Sequence, residues 1–271
     1  MRPVLLSMAA LACLSAAVVA APNFHDDFEA GVGGTNTWYN WRSSPDPWPP
    51  PNPSGINNLL TTSTDHNHTP AGTKSARAWE SDPAAWNAYS DFGADSGTIH
   101  TDAWLFEDFT HDGTNSAQPV TNMLSLYGDG ANPGVFTDYI QIGVVPFYPS
   151  GSVRYGFRTR YNDSTGGGII DTGVSRKPGW THLAIDVDAM GLGGQIRFFI
   201  DGTQVGTSYR AGANGGAGGL SPVALRWVRL GNNSKSYENF WYDDVNVTPE
   251  PASLLLLGLG GIALLRRNRR A

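Results

Sequence analysis

The sequence predicts an all-β domain, a two-sheet antiparallel sandwich, lying between two segments that serve export and not the fold. Three observations point there. No stretch keeps the 3.6-residue apolar period of a helix for a useful length; short runs of β-branched and aromatic residues are separated by Gly, Asn, Asp and Pro, and Gly supplies 33 of 271 residues. In "THLAIDVD", Leu183, Ile185 and Val187 alternate with His182, Ala184 and Asp186, the period of a strand with one buried face. "RFFIDGTQVG" then reads as a hairpin: Asp201-Gly202 supplies the positive φ angles of a tight turn, Ile196, Phe198 and Ile200 share one face, and Val205 returns after it.

From the start of the chain, Arg2 gives a basic end, Val4 to Val19 is apolar, and the small residues Ala20 and Ala21 follow. This is the pattern of a secretory signal peptide over 1–20, with Ala21 as the mature start. A lipoprotein signal around "ALAC" is the alternative, although Ala10 stands where a leucine is usual. Cys13 is the only cysteine and leaves with the signal, so the mature domain, 21–248, folds without disulfides. The 227 residues from Pro22 to Thr248 suit one sandwich, large enough to bury roughly 70–75% of the unfolded surface.

Within it the predicted strands are 23–29, 74–80, 98–110, 119–128, 138–145, 152–161, 179–188, 194–206, 223–231 and 239–247. The proline-stiffened stretch 43–73 and the glycine-rich 211–222 read as long surface loops of the same domain. Between Pro22 and Thr248, 13 basic residues (18 less Arg2 and the four of the tail) face 23 acidic ones (24 less Glu250), a net charge of −10. Scattered, outnumbered cations exclude a nucleic-acid partner, which needs them clustered.

The chain closes with "VTPEPASLLLLGLGGIALLRRNRRA". Ala252 to Leu265 carries no charge. As a helix its 14 residues would cover ~21 Å, short of the ~30 Å of a bilayer core. Arg266, Arg267, Arg269 and Arg270 can snorkel from one side and fix the cytoplasmic end, leaving everything before Pro249 outside. Pro249, Glu250 and Pro251, then the apolar run, then "RRNRR", resemble the PEP-CTERM sorting tail of exported bacterial proteins, here 249–271. The resemblance implies an exosortase as partner, cutting near the motif. It also implies transient anchoring in the inner membrane by the C-terminal helix before delivery to the envelope, surface or polysaccharide matrix.

The strand from Trp180, the "F-I-D-G-x-x-V" hairpin, the first strand "DDFE" and the last strand "FWYDDVNV" resemble the concanavalin A-like or laminin G-like jelly roll. That family implies terminal strands lying side by side, and it hosts glycan hydrolases and lyases. Its retaining hydrolases need two carboxylates ~5 Å apart, as E-x-D-x-E on one strand. Here Glu80 and Asp82 match the start, but Pro83 interrupts the strand and Ala85 replaces the second glutamate. Motifs of the G-x-S-x-G and H-E-x-x-H types are absent. No catalytic residue is therefore assigned; a carboxylate pair drawn from Glu80, Glu107 and Glu238 on different strands stays open.

Two binding features remain. Asp26, Asp27, Asp243 and Asp244 would crowd one edge if the terminal strands are neighbours, and a calcium ion held by Asp27 and Asp244 would relieve the repulsion. Solvated edge acids that block sheet-to-sheet association are the other reading. "DHNH", at 65–68, reads as a solvated loop. Trp38, Tyr39, Trp41 and Trp48 crowd one Pro-rich region and suit stacking on sugar faces, or else cover the end of the sandwich. Trp79, Trp104, Trp180, Trp227 and Trp241 read as core. The combined expectation is an exported, non-enzymatic polysaccharide-binding protein, with a hydrolase or lyase and a purely structural matrix protein as alternatives.

Overall fold

A computed structural model describes residues 24–42, 60–78, 86–95, 97–109, 121–128, 139–147, 152–159, 168–188, 194–209, 224–231 and 239–249. The signal segment, Trp48, Trp79, Glu80, Glu238 and the tail from Glu250 onward, with its four arginines, lie outside them. The described residues form fifteen strands: β1 (Phe24–Asp26), β2 (Tyr39–Arg42), β3 (Leu60–Ser63), β4 (Ser75–Ala78), β5 (Trp86–Asp95), β6 (Ile99–Glu107), β7 (Asn122–Gly128), β8 (Tyr139–Phe147), β9 (Ser152–Thr159), β10 (Ile170–Ser175), β11 (Gly179–Val187), β12 (Gln195–Ile200), β13 (Thr203–Tyr209), β14 (Leu225–Gly231) and β15 (Phe240–Pro249). No helix among the described residues is long and apolar enough to cross a membrane.

The strands make two antiparallel sheets. The first runs β13-β12-β11-β6-β15-β4-β3, with β1 also on β15; the second runs β10-β9-β8-β7-β14-β5-β2. Strands distant in sequence lie side by side in both, as in a jelly roll. The terminal strands are neighbours: Phe24, His25 and Asp26 pair with Val247, Asn246 and Val245. Pro249, the first residue of the sorting motif, pairs with Ile99 at the last step of β15, so the motif begins where the sandwich ends.

Alternation explains the core. On β6 every odd position from Ile99 to Glu107 is buried and every even one is half-open. Leu183, Ile185, Val187, Ile196, Phe198 and Ile200 point inward together. Each such side chain contributes about 1.5–3 kcal/mol by leaving water. Val228 and Leu230 meet them from the other sheet, beside Leu124, Leu126, Ile140 and Ile142. The Phe157 and Phe198 rings stack across the gap at 4.4 Å. Gly206 is required there, because a Cβ would sit 2.2 Å from the Phe157 ring. Asp201 and Gly202, at φ 48° and 74°, make the predicted hairpin turn.

Five strands depart from the sequence reading, among them β2, which none of the predicted strands covers. The first strand stops at Asp26 because that carboxylate folds back onto the Phe28 N–H at 3.0 Å, and Phe28 takes a left-handed φ of 56°. β3 falls inside the expected 43–73 loop as a four-residue strand paired only to β4. β5 falls in none of the predicted strands, its Asn87, Ser90, Asp91 and Gly93 being poor strand formers, yet Ala88, Ser90 and Phe92 face inward and are buried. β10 lies at the edge of its sheet and is largely exposed, so it carries no buried-face pattern.

Candidate functional site

The paired acids come first, because the fold gives them a different use from the one their spacing suggests. Between Asp243 and Asn246 β15 bulges against β6, with Asp244 at φ 48°. The bulge turns both carboxylates toward residues 67–69. Asp243 accepts from the His68 N–H (2.8 Å), the Thr69 N–H (3.1 Å) and the Asp244 N–H (2.9 Å). Asp244 meets the Thr69 hydroxyl and His68 Nδ1, each at 2.8 Å. Asp26 accepts the Trp38 indole N–H at 2.7 Å, and Asp27 the Glu29 N–H at 3.1 Å. Burial raises the carboxyl pKa of both Asp26 and Asp243, and the donors only partly reverse it.

Each Asp244 oxygen thus has one protein partner, and Asp27 Oδ1 has one. Among the described residues no three or more His, Cys, Asp or Glu side chains are grouped as a metal site. In this arrangement protein donors relieve the repulsion of the four acids.

In the "DHNH" segment Asp65 is exposed, as expected, but His66, Asn67 and His68 are half-buried. His66 stacks on Phe106 at 3.7 Å and His68 on Trp104 at 3.8 Å. Trp180, Phe106, Trp241 and Arg77 form one row across β11, β6, β15 and β4 on the outer face of the first sheet. Trp104, Trp180 and Trp241, expected in the core, are instead the layer on which this segment rests. Next to it His100 bridges Asp102 (3.3 Å) and Asp186 (2.6 Å), and His182 reaches Asp102 at 3.0 Å.

Of the four residues expected to stack on sugar, the structure turns one inward. Trp38 packs its ring against Phe24 and Phe28 at 5.9 and 5.8 Å and gives its N–H to Asp26, so it belongs to the core. Tyr39 is 37% exposed on β2. Trp41 lies on β2 opposite Asn87.

Tyr39 leads to the outer face of the second sheet. It pairs with Tyr89, Tyr89 with Arg229, Arg229 with Ser125, Ser125 with Gln141, and Gln141 with Arg158. Directly opposed residues face the same way, so these six form one row across β2, β5, β14, β7, β8 and β9. A second row, Asp91, Trp227, Tyr127 and Tyr139, runs beside it.

Side-chain bonds tie the rows together. Gln141 Nε2 donates to Ser125 Oγ (3.0 Å) and Tyr127 Oη (2.8 Å), Arg158 Nε donates to Gln141 Oε1 (2.5 Å), and Arg229 donates to Tyr127. The Arg229 guanidinium lies 5.0 Å from the Tyr127 ring and 5.4 Å from the Tyr89 ring; Arg158 lies 5.0 Å from that of Tyr139. Burial pushes both the Tyr89 and Tyr127 phenols up, so they stay protonated donors at neutral pH.

On this face Tyr39 is exposed and Trp227, Tyr139 and Arg158 are half-exposed, rings and a guanidinium of the kind that bind polyhydroxylated ligands, while Tyr89, Ser125, Tyr127, Gln141 and Arg229 are buried and brace them. The two carboxylates described on or beside it are neutralised, Asp91 by Arg226 at 2.8 Å and Asp171 by Arg154 at 3.5 Å. Glu107 is no part of it: it lies between the sheets, bonded by Tyr155 and by Arg176 at 2.5 Å, with its pKa raised chiefly by burial. Gln141, Arg158 and Arg229 escape a motif search. Their signal is a polar residue flanked by apolar ones in a strand, as Gln141 between Ile140 and Ile142 and Arg229 between Val228 and Leu230.

Comparison with known proteins finds the sorting tail and the sandwich. Residues 247–270 match the PEP-CTERM protein-sorting motif. The chain carries that tail. It implies an exported, envelope-associated protein.

The sandwich is similar to the endo-1,3-beta-glucanase of Streptomyces sioyaensis (TM-score 0.51, 14% identity, 83% of this chain and 94% of that one). It is also similar to a structure of endo-acting O-glycanases of the human gut microbiota that initiate mucin breakdown (TM-score 0.50, 12% identity, 83% and 98%). A sialidase is matched over 85% of this chain but 19% of its own length, at 11% identity and a TM-score of 0.48. The likenesses to the glucanase and the O-glycanase structures establish the jelly-roll, concanavalin A-like fold. No curated protein matches the chain by sequence.

Proposed function

We propose that this chain is an exported, non-enzymatic polysaccharide-binding protein whose glycan lies along the outer face of the second sheet. Tyr39, exposed on β2 beside the half-exposed Trp227 and Tyr139 rings of the same face, carries the reading; Tyr89, Arg229, Ser125 and Gln141 are buried and hold that face in place. The Tyr39, Trp227 and Tyr139 rings offer stacking area, while the carboxylates described there are engaged with arginines. An exosortase is the processing partner. It recognises Pro249, Glu250 and Pro251 with the apolar run and the arginines 266, 267, 269 and 270, while the C-terminal helix holds the protein in the inner membrane.

The test is affinity electrophoresis of the full chain through gels containing single soluble polysaccharides, with mass analysis of each polysaccharide after prolonged incubation. Retardation that weakens about tenfold in Tyr39→Ala, with no shortened products, is the expected result. Shortened products would make the protein a glycan hydrolase or lyase. No retardation by any polysaccharide would leave a structural matrix protein.

A further inference from the structure

Resting on the reading of the tail as an exosortase substrate, we propose that the enzyme takes this chain already folded and that the sandwich limits the cut: the bond broken lies after Pro249, and β15 is kept whole. The sorting match begins at residue 247, whereas β15 runs on to Pro249, so the matched residues 247–249 belong to the sheet. β15 is an inner strand there. Asn246, Val247, Thr248 and Pro249 pair with Asp102, Thr101, His100 and Ile99 of β6, and on the other side Val245, Asn246 and Val247 pair with Asp26, His25 and Phe24 of β1. Val245, Val247 and Ile99 are fully buried in the core. The Thr101 hydroxyl donates to the Asn246 carbonyl at 2.7 Å, and the Asn246 side chain meets His25 Nδ1 at 2.6 Å and Asp102 at 3.3 Å.

An enzyme that binds its substrate as an added strand needs free backbone N–H and C=O groups. Those of 245–247 are engaged by β1 and β6, so only an opened sheet would offer them, and a route through a rare open state is slowed by its rarity. Pro249 makes the boundary sharp. Proline brings no N–H to a ladder and is tolerated at a strand end, where β15 places it. One residue thus closes the strand and opens the motif.

The place of the domain during processing follows from the same boundary. Ala252, where the apolar run begins, stands three residues beyond Pro249, and three residues span at most ~11 Å. The sheet end carrying Ile99 and Pro249 is held that close to the membrane by the anchored tail, and the enzyme works in the gap. The bond broken is a peptide bond whose acyl carbon passes to water or to an amine; either way the residues before it stay with the domain.

The experiment uses the full chain in membranes containing an exosortase, and mass spectrometry identifies the last residue of the product. That residue should be Pro249 or a later one. A second arm pins the strand end: His100→Cys with Thr248→Cys, opposed on β6 and β15, places two thiols within disulfide reach, and the oxidised and reduced states are compared in the same membranes. Both states should lose the tail at the same bond and at rates within about twofold of each other.

A product ending at Thr248 or earlier overturns the inference on the unmutated protein alone. So does a double variant cut when reduced but not when oxidised, because β15 would then have to open for the enzyme; in both cases the exosortase reading survives. Where the double variant misfolds or is cut in neither state, the unmutated product decides. A tail retained by the unmutated chain removes both readings.

Discussion

Asp243 is fully buried, yet the backbone N–H groups of His68, Thr69 and Asp244 all end on it. Removing its carboxylate leaves these donors without an acceptor, and each buried unsatisfied group costs about 1–3 kcal/mol. Asp243→Ala is therefore expected to lower the urea unfolding free energy by more than Asp243→Asn, which keeps a side-chain carbonyl; equal losses would mean that the N–H bonds contribute nothing. The same chemistry bears on calcium. With donors already on Asp244 and Asp27, a chelator should leave the melting temperature unchanged, and a fall reversed by Ca²⁺ would put a cation among these acids.

At the level of strands, His100 and Asp102 on β6 tie that strand to Asp186 and His182 on β11. The bond to Asp102, then that to Asp186, raises His100 to about 10. Burial resists ionisation of Asp102, but the bonds from His100 and His182 prevail and lower it to about 2.

A raised histidine stabilises fully below its unfolded pKa of about 6.5, and that contribution fades as pH climbs toward 10. A lowered aspartate stabilises fully above about 3.9, and its contribution is lost as pH falls toward 2. Stability from this cluster should thus plateau between roughly pH 4 and 6.5 and decline on both sides. Urea midpoints measured across pH should show the alkaline decline in the unmutated protein and a flatter limb in His100→Gln. Unchanged slopes in the variant would rule the pairing out as a source of pH dependence.

For the whole molecule, the two sheets are joined by a polar tie as well as by the core. Glu107 on the first sheet bonds Tyr155 on the second, Tyr155 reaches Thr181 at 3.0 Å, and Arg176 pairs with Glu107. Glu107→Ala strands Arg176 and should cost about 3–5 kcal/mol, read as a lower denaturant midpoint. A loss below about 1 kcal/mol would mean that water replaces the carboxylate freely. Export is separable from this stability. Replacing Pro249, Glu250 and Pro251 together should leave the melting temperature within about a degree and block removal of the tail, seen as a retained C-terminal mass in the membrane fraction. A cleaved product from that variant would place recognition elsewhere.

By itself the sequence determined what depends on local pattern. The hairpin at Asp201-Gly202 follows from the φ angles that turn needs, the inward set Leu183, Ile185 and Val187 from the two-residue period, and the sorting tail from the order of unlike segments at the chain end. Tertiary structure alone decided which face each aromatic residue meets. Trp38 went into the core because Asp26, twelve positions earlier, captures its N–H; Trp104 and Trp241 went to an outer face because their strands already spend the opposite face on the core. The row of six on the second sheet joins residues 39, 89, 229, 125, 141 and 158, an order set by strand pairing. A strand's period tells which side chains share a face; which strands lie beside one another is settled by how two sheets close over one core.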